Sequence, residues 1–161
     1  MLFTFNKHSE FYEGYHNQPF VLIDDLFASE DVNDRRNEAG ALIGMINSAP
    51  FALPMAFESK GSMFFNSDFV FCSTNAANNG INHAELQIGM TDPNAVKRRF
   101  HWCLHATEKY LGKNPWQIFM RVDKAPRKFQ DLVGKKITMR QFCLRLADDI
   151  VTGKQIGRAH V

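Results

Sequence analysis

No run of apolar residues in this chain approaches the ~20 needed to span a bilayer as a helix. The opening Met1-Leu2-Phe3-Thr4-Phe5 lacks the basic-then-apolar order of a secretory signal. Cysteine is scarce. Cys72, Cys103 and Cys143 are far apart and odd in number, and no pair has zinc-knuckle spacing, which reads as free thiols in a reducing compartment. Charge of one sign is not in excess either. A net charge of +2 is too small to argue for nucleic acid by itself, so any basic surface is local, at Lys97 to Arg99 or between Arg121 and Lys136. Internal repeats and low-complexity tracts are absent.

What is present fits one globular domain: 161 residues, 45% hydrophobic and 22% charged, with Phe used 15 times. The chain is organised around Phe20-Val21-Leu22-Ile23-Asp24-Asp25. The apolar run predicts a parallel-sheet strand buried on both faces. Its end in two carboxylates places Asp24 and Asp25 at the sheet's carboxyl edge, where open α/β sheets bind ligands. Two carboxylates there suit a hard cation that keeps several waters, magnesium with a nucleotide. A solvated acidic turn is the plainer alternative.

Further along, Ala39, Leu42, Ile43, Met45 and Ile46 recur at helical spacing, which predicts a helix over 33–47, ended by Pro50 and Pro54. Residues 55–60 fit one helical turn stopped by Gly61. Phe69 to Ser73 predicts a second apolar strand, followed by Thr74-Asn75. Asp92-Pro93 predicts a short helix over 93–99. Phe100 to His105 alternates as a strand does, and Thr138-Met139-Arg140-Gln141 is a capping box before a closing helix with Phe142, Leu146 and Ile150 inward. The alternation of strands and helices predicts an α/β domain with a largely parallel sheet.

An amide at the end of the second strand, Asn75, can orient a water against a phosphate while the acids hold a metal. Alone it reads as a turn residue. Arg98-Arg99 can neutralise charge developing on a neighbouring subunit's nucleotide, or can be a cation pair at a helix end.

These stretches together resemble the superfamily 3 helicases of picorna-like positive-strand RNA viruses. Residues 18–26 resemble the family's Walker B region, and Phe11-Tyr12-Glu13-Gly14-Tyr15 the aromatic-Gly-Tyr segment before it. Residues 48–56, with Lys60-Gly61 and Ser67, resemble its intervening motif, residues 69–75 its third motif, and residues 92–100 its arginine-finger segment. Order and spacing agree from about residue 8 to 102.

The resemblance implies a P-loop NTPase-like AAA+ three-layer sandwich, truncated at the N-terminus. It implies ATP and Mg2+ as cofactors, assembly into rings such as hexamers, and action on viral RNA beside other viral replication proteins. The implied location is the host cytoplasm, at membrane-associated replication complexes. By position, Asp24 would hold magnesium through water, Asp25 would help activate the attacking water, and Asn75 would sense the terminal phosphate. Arg98 and Arg99 would be finger candidates, and Lys60-Gly61 would face the channel and touch RNA.

One departure is large. The phosphate-cradling G-x-x-x-x-G-K-[ST] loop is missing: Gly112-Lys113, Gly134-Lys135 and Gly153-Lys154 all lack the first glycine of that pattern. In the family this loop precedes Walker B, so the expectation is an incomplete domain over 1–155 that does not hydrolyse ATP alone. Residues 156–161, Ile-Gly-Arg-Ala-His-Val, read as a translated sequencing adapter outside the fold. The competing functions are a non-catalytic RNA-binding or assembly module with the same fold, and a superfamily 3 protein of a small DNA virus. His101-x-Cys103-x-His105 is declined as a zinc site, because alternate strand side chains stand about 7 Å apart. The basic stretch 121–136 is read as a solvated face in preference to an RNA contact.

Overall fold

A computed structural model describes residues 1–5, 9, 10, 12–56, 61–75, 90–106 and 114–155, with side chains to residue 150. The chain divides into two compact units, Met1–Arg99 and Phe100–Val161.

The first unit is built on three parallel strands, β1 (Leu2–Thr4), β2 (Phe20–Ile23) and β3 (Phe69–Cys72), with β2 in the middle. Phe20 pairs with Phe69 and Ile23 with Cys72, so β2 and β3 run in step to one carboxyl edge. The expected strands are therefore present, joined by an unforeseen β1. The loop before β2 sets its position. Tyr15 is fully buried, with its ring edge-on to Phe3 at 5.4 Å. Its hydroxyl accepts the Asn66 N–H at 2.8 Å and meets Ser67 Oγ at 3.0 Å. Gln18, also buried, folds back to donate to the Gly14 carbonyl at 2.7 Å.

One expectation is corrected here. Strand β2 is buried on one face only: Val21 and Ile23 lie in the core, whereas Phe20 is 37% exposed. Phe20, Phe69 and Phe71 share the other face and stack on one another, with centroids 5.5 to 6.4 Å apart. An unbroken apolar run does not distinguish a face covered by the core from one covered by its own rings.

Helix α1 (Val32–Met45) lies within a residue or two of the expected span. Asp31 caps it, accepting the Asn33 N–H at 2.7 Å. It turns Ala39, Leu42 and Met45 inward, together with the carboxylate of Glu38. Past it, an antiparallel bridge joins Ala52 to Phe64, with flanking bonds from Leu53 N to Met63 O at 3.0 Å and from Phe65 N to Phe51 O at 2.9 Å. Gly61, at φ +78°, lies in the turn that bridge closes. The expected helical turn over 55–60 falls mostly outside the described residues. Helix α2 (Asn94–Lys97) is shorter than the sequence suggests, and Asp92 receives the Asn94 N–H at 3.0 Å.

The second unit departs from the expected parallel order. Strands β4 (Cys103–Ala106), β5 (Phe119–Lys124) and β6 (Lys136–Thr138) form an antiparallel sheet. A one-turn 3-10 segment at Pro115–Gln117 and a six-residue one at Arg127–Leu132, kinked at Phe129, connect the strands. The structure as a whole is thus mixed α/β, with a parallel sheet of only three strands. Helix α3 (Met139–Gln155) closes this unit. Its capping box forms as expected: Thr138 N–H donates to Gln141 Oε1 at 2.8 Å, and Gln141 N–H to Thr138 Oγ1 at 3.2 Å. The core holds Met120, Val122, Phe129, Ile137 and Phe142, with Trp102 against the Phe129 and Phe142 rings. The strand expected from Phe100 begins only at Cys103, and a bulge between Cys103 and Leu104 breaks the alternation.

Candidate functional site

The carboxyl ends of β2 and β3 are bound to each other side chain by side chain. Because Ile23 and Cys72 are in register, the next residues, Asp24 and Ser73, stand side by side. The Ser73 hydroxyl donates to Asp24 Oδ1 and accepts the Asp25 N–H at 3.0 Å. Main-chain bonds run from Ser73 N to Ile23 O at 3.0 Å and from Leu26 N to Ser73 O at 2.8 Å. Thr74 Oγ1 adds a bond to Leu26 O at 2.6 Å, and Asn75 Nδ2 one to Asp25 Oδ1 at 3.3 Å. Asp24, Asp25 and Asn75, which the sequence singles out from segments some 50 residues apart, come together on one exposed edge.

The turn after Asp24 has unusual backbone. Asp25 and Phe27 both take positive φ, 49° and 63°. Aspartate tolerates this conformation and phenylalanine does not. A buried acceptor holds the second position: Glu38 Oε2 of α1 receives the Phe27 N–H at 2.6 Å. With Leu26 1% exposed and Phe27 4%, the turn anchors inward at 26 and 27 and leaves the two aspartates outward.

Ser73, Thr74 and Glu38 are the residues that sequence reading passed over. Serine and threonine after a strand read as turn residues, and a glutamate in an amphipathic helix reads as solvated. Only the strand register and the inward turn of α1 give them their partners. Burial pushes the neighbouring Cys72 thiol up to about 12, so it stays neutral beside the site.

The finger candidates separate. Arg99 folds back into its own unit, with Nε donating to Ile46 O and Nη1 to Ala95 O, both at 3.2 Å. Arg98 is exposed and its guanidinium meets no partner among the described residues. Lys60 lies outside the described residues, as does the tail 156–161. His101 precedes β4, and Cys103 is buried with its thiol raised to about 11, chiefly by burial, so the shared face assumed for the His-Cys-His run does not form.

The donor set at the β2–β3 edge is oxygen-rich, exposed and contributed by two carboxylates. It fits a magnesium ion held mostly by water and substrate oxygens, which needs only one or two protein carboxylates. Among the described residues no helix is long and apolar enough to cross a membrane.

Residues 1–76 match a family model described as RNA helicase. Over 97 residues, 60% of this chain, it is 35% identical to the genome polyprotein of Human parechovirus 5 (strain CT86-6760). It is 40% identical over 100 residues, 62% of the chain, to the RNA1 polyprotein of Cowpea mosaic virus (strain SB). With the genome polyprotein of Human rhinovirus 14 the identity is 33% over 106 residues, 63% of the chain. The chain spans 4% to 5% of the length of these polyproteins. The matched segment contains both strand ends and the turn between Asp24 and Phe27. The family-model match over residues 1–76 and the picornavirus and comovirus polyprotein relatives identify the matched part of the chain as part of a viral superfamily 3 RNA helicase domain.

Proposed function

We propose that the β2–β3 edge is the metal and water-activating half of a nucleotide site, in an ATP-dependent RNA helicase or NTPase that serves viral RNA replication. The observation that carries this reading is the latch across the two strands, with Ser73 bonded to Asp24 and to the Asp25 N–H while Asn75 reaches Asp25. Bound magnesium with ATP would supply charge neutralisation at the phosphate oxygens. Asp24, fixed by one oxygen to Ser73, would hold the ion through water with its other oxygen. Asp25 accepts a proton from, or orients, the attacking water, and Asn75 holds that carboxylate until a terminal phosphate competes for its amide. Arg98, exposed at the end of α2, is the finger for the next subunit of a ring, hexameric by family resemblance. Arg99, bonded to the end of α1, sets the helix from which Arg98 projects. The loop around Lys60 and Gly61 would touch RNA backbone in the ring's channel. The setting would be the host cytoplasm, at membrane-associated replication complexes.

The test is a chimera that places a superfamily 3 phosphate-loop segment ahead of residue 1. Magnesium-dependent ATP turnover that falls at least a hundredfold in Asp25→Asn and Asn75→Ala, with ATP binding retained, supports the reading. Turnover indifferent to both refutes it. The second reading is a non-catalytic module; a chimera that binds RNA and never turns over ATP would establish it.

A further inference from the structure

Charge is divided unevenly between the two units. Residues 1–99 hold 7 Lys and Arg against 12 Asp and Glu, a net of −5, and residues 100–161 hold 12 against 5, a net of +7. The overall charge of +2 conceals this split.

The antiparallel register arranges part of the positive charge. Residues paired across a ladder share a face. Leu104 pairs with Val122, which is fully buried, so that face is the inner one. His105 pairs with Arg121, and Arg121 pairs in turn with Lys136, so these three form a row straight across the outer face. Two strand spacings make the row about 10 Å long. Phe119 and its partner Thr138 lie beside it on the same face, and Phe119 is 42% exposed. Asp123 grips Arg121 through Nε at 2.6 Å and Nη2 at 3.3 Å, which fixes the guanidinium along the strand. Among the described residues, Lys136 and its neighbour Lys135 form no ion pair.

Arg121 stands opposite Lys136 as a like-charge cross-strand pair, and the Asp123 carboxylate on the same face offsets the charge of Arg121 alone, leaving that of Lys136. A polyanion laid along the row would neutralise that remaining charge. An exposed ring beside the cations distinguishes a single strand from a duplex, because unpaired bases can stack on it while the phosphates follow the charges.

We propose that the outer face of β4, β5 and β6 is a binding surface for single-stranded RNA. Arg121 and Lys136 take phosphate, His105 donates a further hydrogen bond, and Phe119 stacks a base. This surface belongs to the second unit, whereas Asp24 belongs to the first, and its occupancy needs no nucleotide.

The test uses the 161-residue chain and a fluorescein-labelled 20-mer of uridylate, without nucleotide, across a salt series. With two phosphates neutralised, by Arg121 and Lys136, the plot of log affinity against log salt has a slope of about −1.4. Lys136→Glu weakens binding at least tenfold and flattens the slope, Lys136→Arg restores both, and Phe119→Ala weakens binding about tenfold with the slope unchanged. Amide shifts on titrating the RNA into the unaltered chain fall at 105, 119, 121 and 136, which locates the surface without relying on any variant's folding. Affinity and slope unchanged in Lys136→Glu, or shifts confined to the first unit, would overturn the proposal. So would competition by a poly-glutamate peptide as strong as by RNA, because that assigns the face to an acidic protein. Loss of ATP turnover in the chimera leaves these readouts untouched, so the two proposals fail separately.

Discussion

The hydroxyl of Ser73 donates to Oδ1 of Asp24 across the seam between two parallel strands. The bond joins residues 49 positions apart, and it exists only because Ile23 and Cys72 end their strands in register. It turns an exposed aspartate into an oriented one.

Removing the hydroxyl frees both Asp24 and the Asp25 N–H. Ser73→Ala should cost about 1 kcal/mol of stability in urea denaturation. In the phosphate-loop chimera it should weaken magnesium-dependent nucleotide binding more than magnesium-free binding. Ser73→Thr, which keeps the hydroxyl, should recover most of both.

The Glu38 carboxylate accepts a main-chain N–H inside the first unit. Glu38→Ala leaves the Phe27 N–H buried without that acceptor, and the expected loss is about 2 kcal/mol. Glu38→Gln retains a carbonyl at the same reach and should lose less than half as much. Equal losses in the two variants would show that the acceptor is not what matters.

Arg98 and Arg99 should part company when replaced singly. Arg99→Ala loses its bonds to Ile46 and Ala95 and should lower stability by about 1 kcal/mol. Arg98→Ala should leave the melting temperature of the isolated chain unchanged and abolish turnover in an assembled ring. Mixed rings of Arg98→Ala and Asp25→Asn subunits should regain part of the activity, because a finger acts on its neighbour's site.

Alkaline pH should loosen the structure through three acids that burial or partial burial holds protonated. Burial raises Tyr12 and Cys72 to about 12 and Cys103 to about 11, from ordinary values of 10.0 for the phenol and 9.0 for the thiols. The native state then holds protons that the unfolded state releases. The contribution is complete below pH 9 and declines from there as pH climbs through the folded values near 11 and 12. Denaturation free energies measured from pH 8 to 11 should fall, and Cys72→Ala should flatten the fall. At pH 8 a thiol reagent should modify exposed Cys143 well before Cys72 or Cys103.

The chain as it stands should show no magnesium-dependent ATP turnover, because its 161 residues carry no G-x-x-x-x-G-K-[ST] pattern for the β- and γ-phosphates. A coupled phosphate-release assay above background would contradict this.

The parts of the fold legible from sequence are those written locally. A continuous apolar run marks β2 and β3, periodic apolar positions mark α1, and the Thr138–Gln141 box marks the start of α3. Strands β1 and β6 are three residues each, too short to show a period. Strand β5 alternates, but its outward positions are Phe119, Arg121 and Asp123, and a ring among charges hides the pattern. In the site, the acids and the amide are visible because their types are unusual at strand ends. Their mutual bonds are not, since hydrogen bonds between residues 49 and 50 apart follow from register alone.

Asp25 and Phe27 sit in left-handed backbone, on either side of a buried leucine. Glycine would relax the main chain at either place. At 25 it would delete the carboxylate, and at 27 a buried ring. Selection for a sturdier fold and selection for a working edge therefore pull in opposite directions within three consecutive residues. A library of the phosphate-loop chimera screened for thermal tolerance alone should enrich Asp25→Gly, and every clone carrying it should lose ATP turnover.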